Sequence, residues 1–422
     1  MSATPEATTP PPLEVRSILG DVRDRIRSGD LGTLPVFFAL ALIVVFFQLK
    51  NSNYLSAGNF NNLIVQMAGE ALIAMGVVFV LLLGEIDLSA GFVSGIGGVL
   101  MAEFLLQGGS FHLPFWSIGG FAITPYIAVI LAVAGGCLIG AVQGTIVAVV
   151  GVPSFVVTLA GLLIWQGVLL QIIGDGGTVV IQDQTIVNAS NYFMAPVYAW
   201  IFAVIAIVAY ALTTFMKERR RPTADSRARN YAIARVVFMA LVTVGIVSWS
   251  LSEKLRIGGG TRGFPVVLII LVLFLLAWTY ISDRTVFGRH VYAVGGNAEA
   301  ARRAGINVTR IRILVFTIGS GMAAVGGIIL ASQLASVSPA SGGNSTLLDV
   351  IGAAVIGGTS LFGGRGNVKS AVLGALVVNA VANGIALVGY SSAIQYIVTG
   401  LILLAAVTVD TVSRRRLAAA GR

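Results

Sequence analysis

Five carboxylates stand inside or at the edge of otherwise apolar stretches: Glu70, Glu85, Asp87, Glu103 and Asp349. An acid in hydrocarbon is costly, so such residues default to ion or proton transfer, or to hydrogen bonds with a polar substrate. Hydrolysis would need a nucleophile or an activated water beside a tuned base. There is no GxSxG elbow and no HExxH pair, and the two histidines, His112 and His290, are far from the acids in sequence. The one cysteine, Cys137, lies in an apolar run, so no disulfide framework and no metal site is expected. An aspartyl enzyme built on Asp87 and Asp349 lacks its usual surroundings, and no catalytic residue is assigned. Asp87 follows a glycine-containing break, GEIDLSAG (Gly84–Gly91), where it or Ser89 can cap the next helix start. Contact with a substrate is the second reading, behind the cap. The candidate polar path therefore comprises Asp87, Ser89, Asp349, Asn379 and Asn383.

Nucleotide chemistry is a near miss. Gly363–Ser370 reads GGRGNVKS, but a phosphate-cradling loop needs glycine immediately before its lysine, and Val368 stands there. The segment reads as a basic turn, and any ATPase as a separate chain.

The elements that must hold these residues are membrane spans. The chain has 422 residues, 56% hydrophobic and 11% charged, with mean hydropathy +0.91; soluble domains carry about 25% charged residues. A span needs about 20 mostly apolar residues. Twelve runs qualify: 34–49, 64–83, 88–106, 124–150, 154–173, 194–215, 231–250, 264–281, 311–331, 347–360, 370–388 and 393–409. The expected fold is all-α, a polytopic membrane helical bundle of about 10–12 spans, with a membrane domain over 34–412. Residues 1–33 form a Pro/Thr-rich tail in which Leu13–Ser28 is an interfacial helix or a solvated linker, and 413–422 a basic tail. Residues 194–250 hold two of these runs joined by a basic loop, KERRRPTADSRARN.

The net charge of +9 does not point to nucleic acid, because the basic residues are confined to loops and ends. With the N-terminus inside, all of the 27 Lys and Arg except Lys50, Lys254, Arg256 and Arg262 fall on the cytoplasmic side. Both termini are then cytoplasmic. Gly136, Gly140 and Gly144 sit four apart, a ridge for close helix packing. A weak internal repeat places Asp87 ahead of Gly97–Gly98 and Asp349 ahead of Gly357–Gly358, with opposite directions in the membrane. That is the pattern of an inverted repeat.

One segment stands apart. Between two apolar runs lies GRHVYAVGGNAEAARRAGIN (Gly288–Asn307), polar, basic and on the cytoplasmic side within 283–310. Gly295 and Gly296 read as a turn, Asn297 as an N-cap, Ala298–Ala304 as a short helix of good formers, and Gly305 as its stop. A water-facing helix in a chain otherwise built for lipid is where a soluble partner can act on it.

Five stretches together resemble one family: YLSAGNFNNL (Tyr54–Leu63), GEIDLSAG, VPSFVVTLAG (Val152–Gly161), FGRHVYAVGGNAEAARRAGINV (Phe287–Val308) and LDVIGAAVIGGTSLFGGRG (Leu348–Gly366). The chain resembles the permease subunits of bacterial ATP-binding cassette importers for monosaccharides, and looks most like xylose permeases. The resemblance implies a non-enzymatic pore subunit of the inner membrane, usually in two copies, with a core of about ten spans to which the helix pair over 194–250 is an added insertion. Its partners would be an ATPase subunit that binds ATP–Mg and an extracytoplasmic sugar-binding protein, with no cofactor in this chain. Glu299, Ala300 and Ala301 followed by Gly305 match the start of the importer coupling motif, while its later I-x-L-P part is absent. The alternatives are a permease for branched amino acids or another polar solute, a secondary transporter with protons moving through Asp87 and Asp349, and a passive channel.

Overall fold

The computed structural model describes residues 34–106, 111–113, 116–118, 123–174, 177–219, 226–252 and 263–419. The tail over 1–33, including Leu13–Ser28, lies outside them, as does the middle of the basic loop after Lys217. Among the described residues every one of the twelve apolar runs is a helix. In chain order these are α1 (Leu34–Lys50), α2 (Ala57–Leu82), α3 (Ala90–Leu106), α4 (Pro125–Thr145, continued as a wider turn to Val150) and α5 (Ser154–Ile173). A short α6 (Gln184–Asn191) precedes α7 (Pro196–Arg219), α8 (Ser226–Ser250) and α9 (Val267–Arg284). Then come α10 (Val286–Gly296), α11 (Ala298–Arg303), α12 (Val308–Leu334), α13 (Asn344–Ile356), α14 (Val368–Val388) and α15 (Ser392–Ala419). Eight are long and apolar enough to cross a membrane, and α1, α3, α13 and the start of α15 are shorter apolar helices. Among the described residues three two-residue or three-residue β-pairings lie in the connections, Phe111–Leu113 with Trp116–Ile118, Val179–Val180 with Ser336–Val337, and Phe193–Met194 with Phe264–Pro265.

The centre of the bundle is α12, 27 residues long and about 40 Å from end to end at 1.5 Å per residue. Between helices in lipid there is little hydrophobic driving force, so close approach of small residues must hold them. Gly136, Gly140 and Gly144 of α4 form that contact: a side chain at any of them would strike Ala324 and Ser320, Phe316 or Ile313 of α12. On another side of α12, Gly69 and Gly76 of α2 meet Gly326, Leu330, Gly319 and Met322. Gly97 of α3 packs on Ala324. The added pair α7–α8 is peripheral: 11% of each apolar window is buried, against 89% for α2. It is tied to the core where Ser250 Oγ donates to Asn61 Oδ1 at 2.6 Å and Phe60 packs on Trp249.

Both α2 and α12 end in a left-handed residue, Gly84 at φ 75° and Ala335 at φ 50°, and each is followed by a break and a shorter helix. The two aspartates do not sit alike, however. Asp87 lies in the first break, whereas Asp349 is inside α13, because the second break runs on to Gly343 before the helix begins. In that second break Ser341 and Gly342 press their carbonyls against Gly95 and Gly91 of α3. The 13 residues of α13 therefore span only about 20 Å, starting from within the bundle.

Candidate functional site

At one end of the bundle, α10 and α11 form the segment singled out in the sequence. Thr285 caps α10, its Oγ1 accepting from the Gly288 amide at 3.2 Å. Gly295 and Gly296 are not a separate turn, as expected, but the last residues of α10; the chain bends at Asn297, which is extended at φ −160°. Asn297 Oδ1 accepts from the Ala300 amide at 2.9 Å, a side-chain N-cap as anticipated. Gly305, at φ 83°, ends the helix, and the Ile306 amide closes back onto the Ala301 carbonyl at 3.0 Å. Ala301 is 5% exposed and anchors α11 inward, while Glu299, Ala300, Arg302, Arg303, Ala304 and Gly305 are exposed. Glu299 pairs with Arg302 at 3.1 Å and Arg303 at 3.2 Å.

What lies beneath this segment is the end of α2. A side chain at Gly295 would collide with the Leu82 carbonyl. The same carbonyl accepts from the Gly364 amide at 2.8 Å. Tyr292 Oη donates to the Gly366 carbonyl at 3.0 Å. Burial, and secondarily Asp283, push the Tyr292 hydroxyl up from its ordinary value, so it remains a neutral donor. Gly84 rests against Phe362 and Gly363, and Glu85 pairs with Arg312 of α12 at 3.2 Å. The start of the basic turn, Gly363–Gly366, thus lies between α10 and the end of α2.

The break after α2 holds Asp87 and Ser89. Asp87 Oδ1 accepts from the Ser89 amide at 2.9 Å and from Ser89 Oγ at 2.6 Å. This is the geometry of a capped helix start for α3. Ser89 Oγ is also 2.9 Å from the Gln143 side-chain amide. Asp87, Ser89 and Gln143 are 2%, 0% and 4% exposed, and Ile86 is held from α5 by Ser154 and Thr158.

Asn379, Asn383 and Asp349 come together elsewhere, with residues the sequence reading passed over. Asn379 Nδ2 donates to Glu70 Oε2 at 2.6 Å, and Asn383 Nδ2 to Gln66 Oε1 at 3.1 Å. Asn59 Nδ2 donates to Asn383 Oδ1 at 2.8 Å. Asp349 is close enough to Glu70 for their carboxylates to interact. Asn59, Asn62 and Gln66 were legible as a signal: with Glu70 they recur at steps of three, four and four, one face of a helix. Among the described residues no three His, Cys, Asp or Glu side chains are gathered as a metal would require.

Residues 59–407 match the family described as "Branched-chain amino acid transport system / permease component". The chain belongs to this family. Relatives point the same way. The chain is 36% identical over 394 residues to the "Xylose transport system permease protein XylH" of Escherichia coli (strain K12), covering 93% of this chain and 94% of that one. The XylH of Haemophilus influenzae is 33% identical, covering 93% of this chain and 100% of that one. The "Ribose import permease protein RbsC" of the same organism is 30% identical, with 89% and 91% covered. No solved structure matches the chain significantly. This permease is therefore a polytopic membrane protein, and its relatives are transport subunits rather than enzymes.

Proposed function

We propose that this permease is the membrane-spanning subunit of an ATP-driven importer that moves a monosaccharide, a xylose-like pentose, into the cytoplasm. An ATPase on a separate chain binds ATP–Mg, an extracytoplasmic binding protein delivers the sugar, and two copies of this chain form the pore. It sits in the bacterial inner membrane with both termini cytoplasmic. The observation that carries the reading is the α10–α11 unit: α11 is an exposed six-residue helix, and α10, which leads directly into it, packs through Gly295 on the carbonyl of Leu82 at the end of α2. A partner that seats on Gly296, Asn297, Glu299, Ala300 and Gly305 pushes on α2 through α10. Rigid packing turns such a push into a tilt of spans instead of dissipating it.

The test is sugar uptake by vesicles containing this chain, with its ATPase and binding protein added or withheld. Uptake only with all three and ATP is the expected result. Uptake by this chain alone that collapses with the proton gradient would overturn the reading, and Glu70 and Asp349 would become the proton pathway. Uptake of branched amino acids in place of pentose would keep the mechanism and change the cargo.

A further inference from the structure

Helix α2 has a single wet line. From Leu63 to Leu82 every residue is buried except Gln66 and Glu70. These two continue the face that begins with Asn59 and Asn62, so the accessible residues of this span are the polar ones. An amide or acid at these depths needs polar neighbours, and α14 supplies them at the same spacing with Asn379 and Asn383. A third wall comes from α13, where Ser345, Thr346 and Asp349 also remain accessible. At the end of the bundle opposite α11, the line opens into a cavity of about 440 Å³ lined by Asn53, Asn59, Asn62, Asn191 and Phe193.

We propose that this α2–α13–α14 groove binds a neutral polyhydroxylated solute of monosaccharide size, entering at the Asn59–Asn62 cavity and passing Gln66 to reach Glu70 and Asp349. Each carboxamide presents a donor and an acceptor, as a pair of neighbouring hydroxyls does, and the carboxylates at the floor accept from hydroxyls. Phe193 at the mouth offers a ring face to the C–H side of a sugar. Asn59, Asn383 and Gln66 are already paired with one another and Asn379 with Glu70, so a solute exchanges hydrogen bonds with them at little net gain. That suits a path, which must release what it binds. Asp87 and Ser89 stay outside the groove, enclosed by α4 and α5. The inference deepens the importer reading and rests on it for the identity of the solute.

The lone cysteine makes the test clean. In the full chain carrying Cys137→Ser, assembled with its ATPase in right-side-out vesicles, single cysteines are placed by Asn62→Cys, Gln66→Cys and Val78→Cys. Each is exposed to an impermeant methanethiosulfonate bearing a sulfonate group, with the labelled fraction read by mass. Asn62→Cys should label fastest, Gln66→Cys at least tenfold more slowly, and Val78→Cys not at all. Saturating D-xylose should slow Gln66→Cys labelling threefold or more, while leucine should not. A Gln66→Cys protein as inert as Val78→Cys, or protected by leucine and not by xylose, would overturn the proposal. If Gln66→Cys fails to assemble, Asn62→Trp serves: it should cut uptake at least fivefold with ATPase association unchanged, and unimpaired uptake would count against the groove. Labelling needs no ATP, so its failure is distinguishable from failure of ATP-driven uptake.

Discussion

The amide of Gly364 donates to the carbonyl of Leu82 at 2.8 Å, on the same oxygen against which Gly295 is packed. Three elements meet at one acceptor, with no side chain between them. Gly295→Val should therefore separate binding from movement. The added side chain lands on the Leu82 carbonyl and pries α10 from α2, while the exposed face of α11 is untouched. The ATPase should still co-purify, with uptake down at least tenfold per complex; a measurement of ATP hydrolysis alongside uptake checks it, and normal coupling would sink the role given to this junction.

Glu299→Arg addresses the outer face. Exposed ion pairs contribute about 0–1 kcal/mol, and Glu299 is 57% exposed in its pairs with Arg302 and Arg303. Insertion and thermal stability should hardly change. Three adjacent cations on a six-residue helix should instead repel a partner shaped for one acid among them. The expected outcome is loss of ATPase association, measured by co-purification in detergent, and retained association would remove Glu299 from the docking surface.

The spans were legible because lipid leaves helices little choice but a continuous apolar stretch, and the short cap at Asn297 was legible because its chemistry is local. Two local features were misread. Helix α2 begins at Ala57, not near residue 64, because Asn59, Asn61 and Asn62 look like loop residues; Ser56 Oγ accepts from the Asn59 amide at 3.1 Å and starts the helix under them. Helix α15 runs on to Ala419 and carries Arg414, Arg415 and Arg416, which charge alone suggests as a tail. The groove was hidden for a different reason. Asn379 and Glu70 are 309 residues apart, and nothing in the local pattern of α14 says which span its amides face. A comparably long stretch of chain separates Gly364 from Leu82. Matching Asp87 with Asp349 by spacing failed because the length of a break is not encoded in the glycine pairs around it.

Asp87→Ala should act on stability rather than on turnover. It removes the acceptor for the Ser89 amide and hydroxyl inside a nearly sealed pocket, and a buried donor left unpaired costs about 1–3 kcal/mol. Asp87→Asn keeps one carbonyl acceptor and should cost less. Measured per folded complex, ATP-driven uptake by Asp87→Asn should stay within about twofold of the parent. Abolished transport with normal folding would instead make Asp87 part of a proton or substrate pathway.

Orientation can be read directly. Reporter fusions after Arg229 and after Arg422 should both give a cytoplasmic signal if the basic loops set the topology. An external signal at either site would overturn that orientation, and would also move the Asn59–Asn62 cavity to the wrong side for an importer.

Gly140 offers the sharpest contrast within a single residue type. An added methyl there would meet the carbonyl of Phe316 and the side chain of Ser320, both on the central helix and neither free to withdraw. Gly167 faces open space. Gly140→Ala should destabilise by about 1–3 kcal/mol, the usual range for overpacking, and lower the thermal midpoint of the detergent-solubilised protein. Gly167→Ala should be neutral or slightly stabilising, since Ala is the better helix former by about 1 kcal/mol. Because α12 also packs against α2 and α3, displacing it at Gly140 should reach Gly76 and Gly97 through the same helix. Uptake should then fall with stability in Gly140→Ala, in contrast to Gly295→Val, where only coupling is lost. Equal midpoints for the two alanine variants would mean that α4 approaches α12 less closely than the glycine ridge requires.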